Sequence, residues 1–206
     1  MDVNELALEY SATLPMWVLE ELVEEPDAYD TDEQKMELVN RLARRNYREG
    51  TGGPFAALVV DSVTGELVSA GVNLVLSSGL SSSHAEVVTL ALAQTRVGNW
   101  DLGADPEHPR ELVVNWRPCA QCYGALIWSG VSRVVIAGDG PELEHLTKFD
   151  EGPMRDDWDA QLEARGISVT NDVLRDEAIA VFREYGEVVD AGEVTVYNAR
   201  GNGPIS

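Results

Sequence analysis

The spacing of apolar positions changes several times along the chain, and each change marks an element. After "TDEQ", Thr31 to Gln34, a capping-box pattern, apolar residues fall at Met36, Val39, Leu42, Ala43 and Tyr47. That is the spacing of an amphipathic helix, and Gly50 supplies a stop. "GGPFAALVVD" and "LVSAGVN" are β-rich runs on either side of "SVTGE", the pattern of a hairpin. A helix over 85–97 follows, then a strand "ELVVNW" from Glu111 to Trp116. "AQCYGALIWSG" predicts a second helix closed by Gly130, "SRVVIAG" a strand, "GISVTND" a last short strand and "VLRDEAIAVFREYGEVV" a last helix capped by Asn171 or Asp172. The stretch "DGPELEHLTKFDEGPMRDDW" reads as a loop holding one short helix. Strands alternating with helices predict an α/β fold, a three-layer α/β/α sandwich with the sheet covered on both faces.

Two segments flank this pattern. Residues 1–30 are acidic and broken by Pro15 and Pro26, and they read as an N-terminal extension to a domain over 31–206. Within the extension, "LPMWVLEELVEEP" predicts a short amphipathic helix with Trp17 and Leu19 to Val23 apolar. The tail "TVYNARGNGPIS" is glycine-rich and is expected on the surface or on a neighbouring subunit.

Composition narrows the function classes. A chain of 206 residues is expected to form one compact domain with a sizeable core. No apolar run approaches the roughly 18 residues that would predict a membrane span. The opening "MDVNELALEY" has no basic segment of the kind that begins a signal peptide, so a cytoplasmic protein is expected. The formal net charge is −21, from 15 basic and 36 acidic residues, a field that repels polyanions over about 8 Å at physiological salt. The densest basic cluster, "RLARRNYR", spreads round its helix as a solvated face, and no nucleic-acid partner is expected.

The candidate chemistry sits at two helix starts. The chain has two cysteines, Cys119 and Cys122, in one "PCAQC", and a cytosolic C-x-x-C is either a redox pair or half of a metal site. "HAE", His84 to Glu86, heads the earlier helix. Alone, that histidine is no more than a cap or packing residue. Together, His84, Cys119 and Cys122 make three zinc ligands with no fourth evident nearby, the pattern of a catalytic ion with an open position. A water in such a position loses its proton at a pKa near about 7 instead of about 15.7, and Glu86 is placed to move protons beside it without being a ligand. H-x-E followed by P-C-x-x-C is the pattern of the zinc deaminases. His108 and His145 lie in polar stretches and read as surface residues.

From roughly Thr31 to Tyr185 the chain resembles the cytidine deaminase-like superfamily, and within it the guanine deaminase and tRNA adenosine deaminase-like branch. The resemblance implies a five-stranded mixed sheet, replacement of an exocyclic amino group on a heteroaromatic ring by oxygen with release of ammonia, a zinc cofactor and a homodimer. It also implies substrate contacts. Asn73 matches an asparagine that hydrogen-bonds the purine, Trp128 an aromatic wall of the base pocket, and Phe55 a pocket phenylalanine. Asp150 and Glu151, in "KFDEG", match an acidic stretch that reads the amidine edge of guanine. Each has a plainer reading: a turn residue, core aromatics, a solvated acidic pair. Two departures stand out: Arg117 occupies the place of a usual glutamate before Pro118, and Ser81 to Ser83 replace proline-threonine-alanine. The expected substrate is a small heterocyclic base, guanine or a related amino-purine or azine. The alternatives are cytosine or a nucleoside, then tRNA adenosine, and last a non-enzymatic zinc-stabilised interaction domain.

Overall fold

The structure, a computed structural model, describes residues 6–198 and 201–202. Its centre is a five-stranded mixed sheet: β1 (Ala56–Asp61), β2 (Leu67–Val72), β3 (Arg110–Val114), β4 (Arg133–Ile136) and β5 (Ser168–Thr170), in the order β2-β1-β3-β4-β5. β1 runs antiparallel to both β2 and β3, whereas β3, β4 and β5 are parallel. The expected sandwich forms, and side-chain alternation explains it. Leu58, Val60, Val113 and Val135 point to one face, where α2 (Asp32–Arg48), α6 (Glu142–Thr147) and α8 (Arg175–Asp190) cover them. Ala57, Val59, Leu112, Val114, Val134 and Ile136 point to the other, under α4 (Ala85–Val97), α5 (Ala120–Trp128) and α7 (Trp158–Glu163). Strands so fully buried read as continuous apolar runs.

Local signals set most boundaries. Thr31 accepts from the Gln34 N–H and Gln34 Oε1 accepts from the Thr31 N–H, so the capping box closes. Gly98 ends α4 in the left-handed conformation that glycine adopts without strain. The start of α8 differs from expectation: its N-cap is Leu174, with φ 52°, while Asn171 accepts from the Asp172 N–H and Asp172 pairs with Arg175. The loop after β4 holds α6, and α7 begins at its last residue.

The N-terminal helix α1 (Met16–Val23) buries Trp17 and Val18, while Leu19 and Val23 are exposed, a narrower apolar stripe than expected. Trp17 donates to Thr51 Oγ1 at 3.5 Å, and Arg45 lies over its ring. Among the described residues no helix is long and apolar enough to cross a membrane. The tail also departs from a surface placement. Val196 is buried, and a short β6 (Tyr197–Asn198) pairs with β7 (Gly201–Asn202). Residues 199–200 and 203–206 of the tail lie outside the described residues.

Candidate active site

Sheet topology brings the site together. Because β1 is antiparallel to its neighbours, its beginning lies beside the ends of β2 and β3: Ala56 pairs with Val72 and Ala57 with Val114. Ile136, the last residue of β4, pairs with Val114. Phe55, Asn73, Trp116 and the loop to α5 therefore converge at one rim, the carboxyl end of the parallel strands where open α/β sheets bind ligands. α4 is drawn close to this rim. Any Cβ on Gly71 would come within 2.4 Å of Thr89 Oγ1, and Ser69 donates to the Thr89 carbonyl at 2.9 Å. Asn115, fully buried, accepts from the Ala56 N–H and donates to the Pro54 carbonyl at 2.9 Å, tying the β3–α5 loop to the start of β1.

His84 is the N-cap of α4 and Cys119 the N-cap of α5, both with extended backbone and neither side chain capping its own helix. Their side chains turn to each other instead. His84 Nδ1 lies 3.4 Å from Cys119 Sγ and 3.5 Å from Cys122 Sγ. An ion bonded tetrahedrally at about 2.3 Å to sulfur and about 2.0–2.1 Å to nitrogen sets those atoms about 3.6 Å apart, so the three donors fit zinc. Among the described residues no fourth His, Cys, Asp or Glu joins the group. The hydrogen bond with Cys122 lowers the Cys119 thiol to about 4, against the desolvation that opposes it and with further help from His84. Cys122 is correspondingly raised by the same contact and by burial. A thiolate at a helix N-terminus is the state a zinc ligand needs.

A cavity of about 390 Å³ opens beside these donors, lined by acids, aromatics and a few amides. Glu86, in the first turn of α4, is 7% exposed, and burial followed by the Cys119 charge raises its carboxyl. Glu151 is equally secluded and is raised well above the carboxylate range, by burial first, then by Cys119 and Glu86. Its carbonyl accepts from the Ala120 N–H at 2.9 Å, which pins its loop to the start of α5. Asp150, in contrast, is exposed and its carboxylate accepts from the Gly152 N–H.

Asn73 is buried and its Oδ1 accepts from the N–H of Val75, the first residue of the short α3 (Val75–Ser78), at 3.1 Å, which leaves its amide nitrogen as a donor toward the cavity. Asn46 holds it there, donating to the carbonyls of Gly53 and Asn73 at 2.8 and 2.9 Å. Gly52 permits the contact, since its Cβ would sit 2.2 Å from the Asn73 carbonyl oxygen.

Phe55, the residue before β1, lines the cavity. Trp128 does not. It ends α5, is 80% exposed and is absent from the cavity wall. Six residues past Cys122 is a turn of about 600°, which sets it about 120° away on the helix. Aromatic walls come instead from Trp116, Phe149 and Tyr197. Phe149 packs 5.4 Å from Phe55 and 4.8 Å from Tyr197, whose hydroxyl accepts from the Gly53 N–H at 3.3 Å. Neither Tyr197 nor Asn46 was signalled locally: one lies in a glycine-rich tail, the other on a helix stretch that reads as solvated. His145 is exposed, and His108 is half-exposed against Asp61; neither joins the zinc donors.

A three-donor zinc site with a buried glutamate beside it, at the carboxyl end of a mixed sheet, defines a zinc-dependent aminohydrolase. Residues 29–138 match the cytidine and deoxycytidylate deaminase zinc-binding region, and the chain belongs to that family. It is 39% identical to a guanine deaminase of solved structure from Nitrosomonas europaea, with a TM-score of 0.82 over 89% of this chain and 99% of the other. A structure of NE0047 in complex with 2,6-diaminopurine is 41% identical, with a TM-score of 0.81 over 95% and 98%. The guanine deaminase of Bacillus subtilis is 29% identical over 126 residues, 61% of this chain and 76% of that one.

Proposed function

We propose that this deaminase acts on guanine or a closely related free amino-purine, converting it with one water to the oxo-purine and ammonia. The observation that carries this reading is the placement of Glu86 and Glu151, two buried carboxyls with raised proton affinity, in one cavity with His84, Cys119 and the Asn73 amide. The names of the relatives above support the same substrate class.

Zinc held by His84, Cys119 and Cys122 supplies, when bound, a water acidic enough to attack at neutral pH. Glu86 accepts the proton that this water gives up, places it on the ring nitrogen beside the attacked carbon, and then carries the second proton to the departing amine. A carboxyl whose proton affinity is raised by burial suits both directions of transfer. Glu151, reached from the facing loop, reads the N–H edge of the ring. Asn73 donates to a ring acceptor, and Phe55, Phe149 and Trp116 enclose the flat faces. The net charge of −21 suits a free base better than a polynucleotide.

A panel of guanine, 2,6-diaminopurine, adenine, cytosine, cytidine and adenosine, read by ammonia release at one zinc per chain, tests this. Guanine or 2,6-diaminopurine is expected to lead. Preference for cytosine or a nucleoside would overturn the purine assignment.

A further inference from the structure

We propose that Arg117 is a specificity-determining residue that donates to the carbonyl-bearing edge of the base, the edge away from the amine that leaves. The inference rests on the amino-purine reading above and deepens it, from amino-purines in general to those that carry an adjacent pair of acceptors, an oxo group and a ring nitrogen.

Arg117 is the one lysine or arginine among the residues lining the cavity. Its backbone is fixed, since its N–H donates to the Gly138 carbonyl at 2.8 Å and it is flanked by buried Trp116 and by Pro118. Its guanidinium, by contrast, makes no hydrogen bond and no ion pair among the described residues. Arg45, Arg110, Arg133 and Arg175 each hold carboxylates. Arg117 Nε is buried without any acceptor. Arg117 and Glu151 line the same cavity and form no ion pair among the described residues.

A guanidinium carries five donors in a rigid plane and no acceptor. One of them, Nε, is buried without an acceptor, which is unfavourable unless a ligand completes it. The ligand that fits has two acceptors side by side in one plane. A purine with a 6-oxo group presents them at O6 and N7, the pair that arginine reads bidentately in nucleic acids. That edge lies across the ring from the 2-amino group. The chemistry at Glu86 and the recognition at Arg117 then address opposite ends of one flat molecule. The glutamate usual at this position in the resembled family is acceptor-only when ionised and would repel the same edge.

The test is direct binding, by calorimetry on zinc-loaded protein, of two purines that carry no amine to lose. Hypoxanthine has both O6 and N7, whereas purine lacks the oxygen. A bidentate contact contributes about 1–3 kcal/mol, so Arg117→Gln is expected to weaken hypoxanthine by roughly 5- to 150-fold and purine by much less. Equal weakening of both ligands, or none of either, would overturn the proposal. Should Arg117→Gln lose its zinc or its cooperative melt, Arg117→Lys serves instead. It keeps the charge without the planar fork, so the ratio of the two dissociation constants must fall, and an unchanged ratio sinks the idea. Wild-type protein that binds neither ligand contradicts the purine reading itself, a failure distinct from a misassigned Arg117.

Discussion

Strand β3 has a charged cluster near each end, and the two are built on opposite rules. At its start, Glu111 is fully buried and accepts from Lys35 at 2.6 Å and from Arg133 at 2.8 Å. Arg133 reaches on to Asp32 and to Thr170 Oγ1, and Lys35 also holds Asp32 at 3.2 Å. Every charge there has a partner. Beyond the strand's other end, Glu86 and Glu151 are buried, Arg117 is half-buried, and none of the three forms an ion pair among the described residues. The first cluster fixes α2, β3, β4 and β5 to one another. The second leaves donors and acceptors free for a ligand and holds two carboxyls where burial raises their proton affinity. A buried charge that is paired speaks for architecture, and one left unpaired in a cavity speaks for chemistry.

Mutations at the two ends should act differently, and the unpaired end is where activity is most sensitive. Glu86→Gln keeps shape and removes basicity, so ammonia release should fall by about 10²–10⁴-fold or more. Zinc content should stay near wild type and the melting temperature should not drop. A merely structural Glu86 predicts the reverse, a small stability change with nearly normal turnover. At the paired end, Glu111→Gln leaves Asp32 as the one carboxylate for both Lys35 and Arg133 and is expected to lose about 3 kcal/mol in denaturant unfolding. Turnover by the protein that remains folded should stay within a few-fold.

Asn46→Leu lies between these extremes. It removes both donors that hold Asn73 and Gly53 in place. We expect about 1–3 kcal/mol of destabilisation together with a rise in KM. A stability loss with KM unchanged would make Asn46 scaffold only.

A smaller effect belongs to Asp61, remote from the site. Burial pulls its carboxyl up, but the Thr64 N–H, His108, the Val63 N–H and Arg110 more than offset this and bring it to about 2. Because the folded value lies below the ordinary carboxylate range, the stabilisation is present above about pH 4 and is lost as pH falls toward about 2. Asp61→Asn should therefore be less stable near pH 7 and flatter between about pH 4 and 2. A parallel pH profile for the two proteins would contradict that. Least of all should come from Trp128→Ser, exposed at the end of α5, with stability expected within about 0.5 kcal/mol of wild type.

What was legible in the sequence follows from the range of the interactions. The helix after Thr31 is set by a capping box spanning three residues, and the zinc donors by two short motifs at helix starts, so both could be read directly. The hairpin and the alternation of strands with helices were equally local. Tyr197 meets Gly53 from 144 positions away, and nothing in a glycine-rich tail announces that return. Asn46 looks like a polar helix position and is in fact fully buried, because its partners come from the β1 and β2 ends. Trp128 matches a pocket aromatic by resemblance, but six residues past Cys122 on a helix its side chain turns outward.

The unpaired end is a zinc-dependent deaminase site. The decisive measurement is ammonia release from guanine as zinc is removed with a chelator and then titrated back. Activity is expected to vanish with the metal and to return in proportion up to about one zinc per chain, with Cys119→Ala failing to recover. Release that persists after zinc removal, or that never rises above the uncatalysed rate at one zinc per chain, would contradict it.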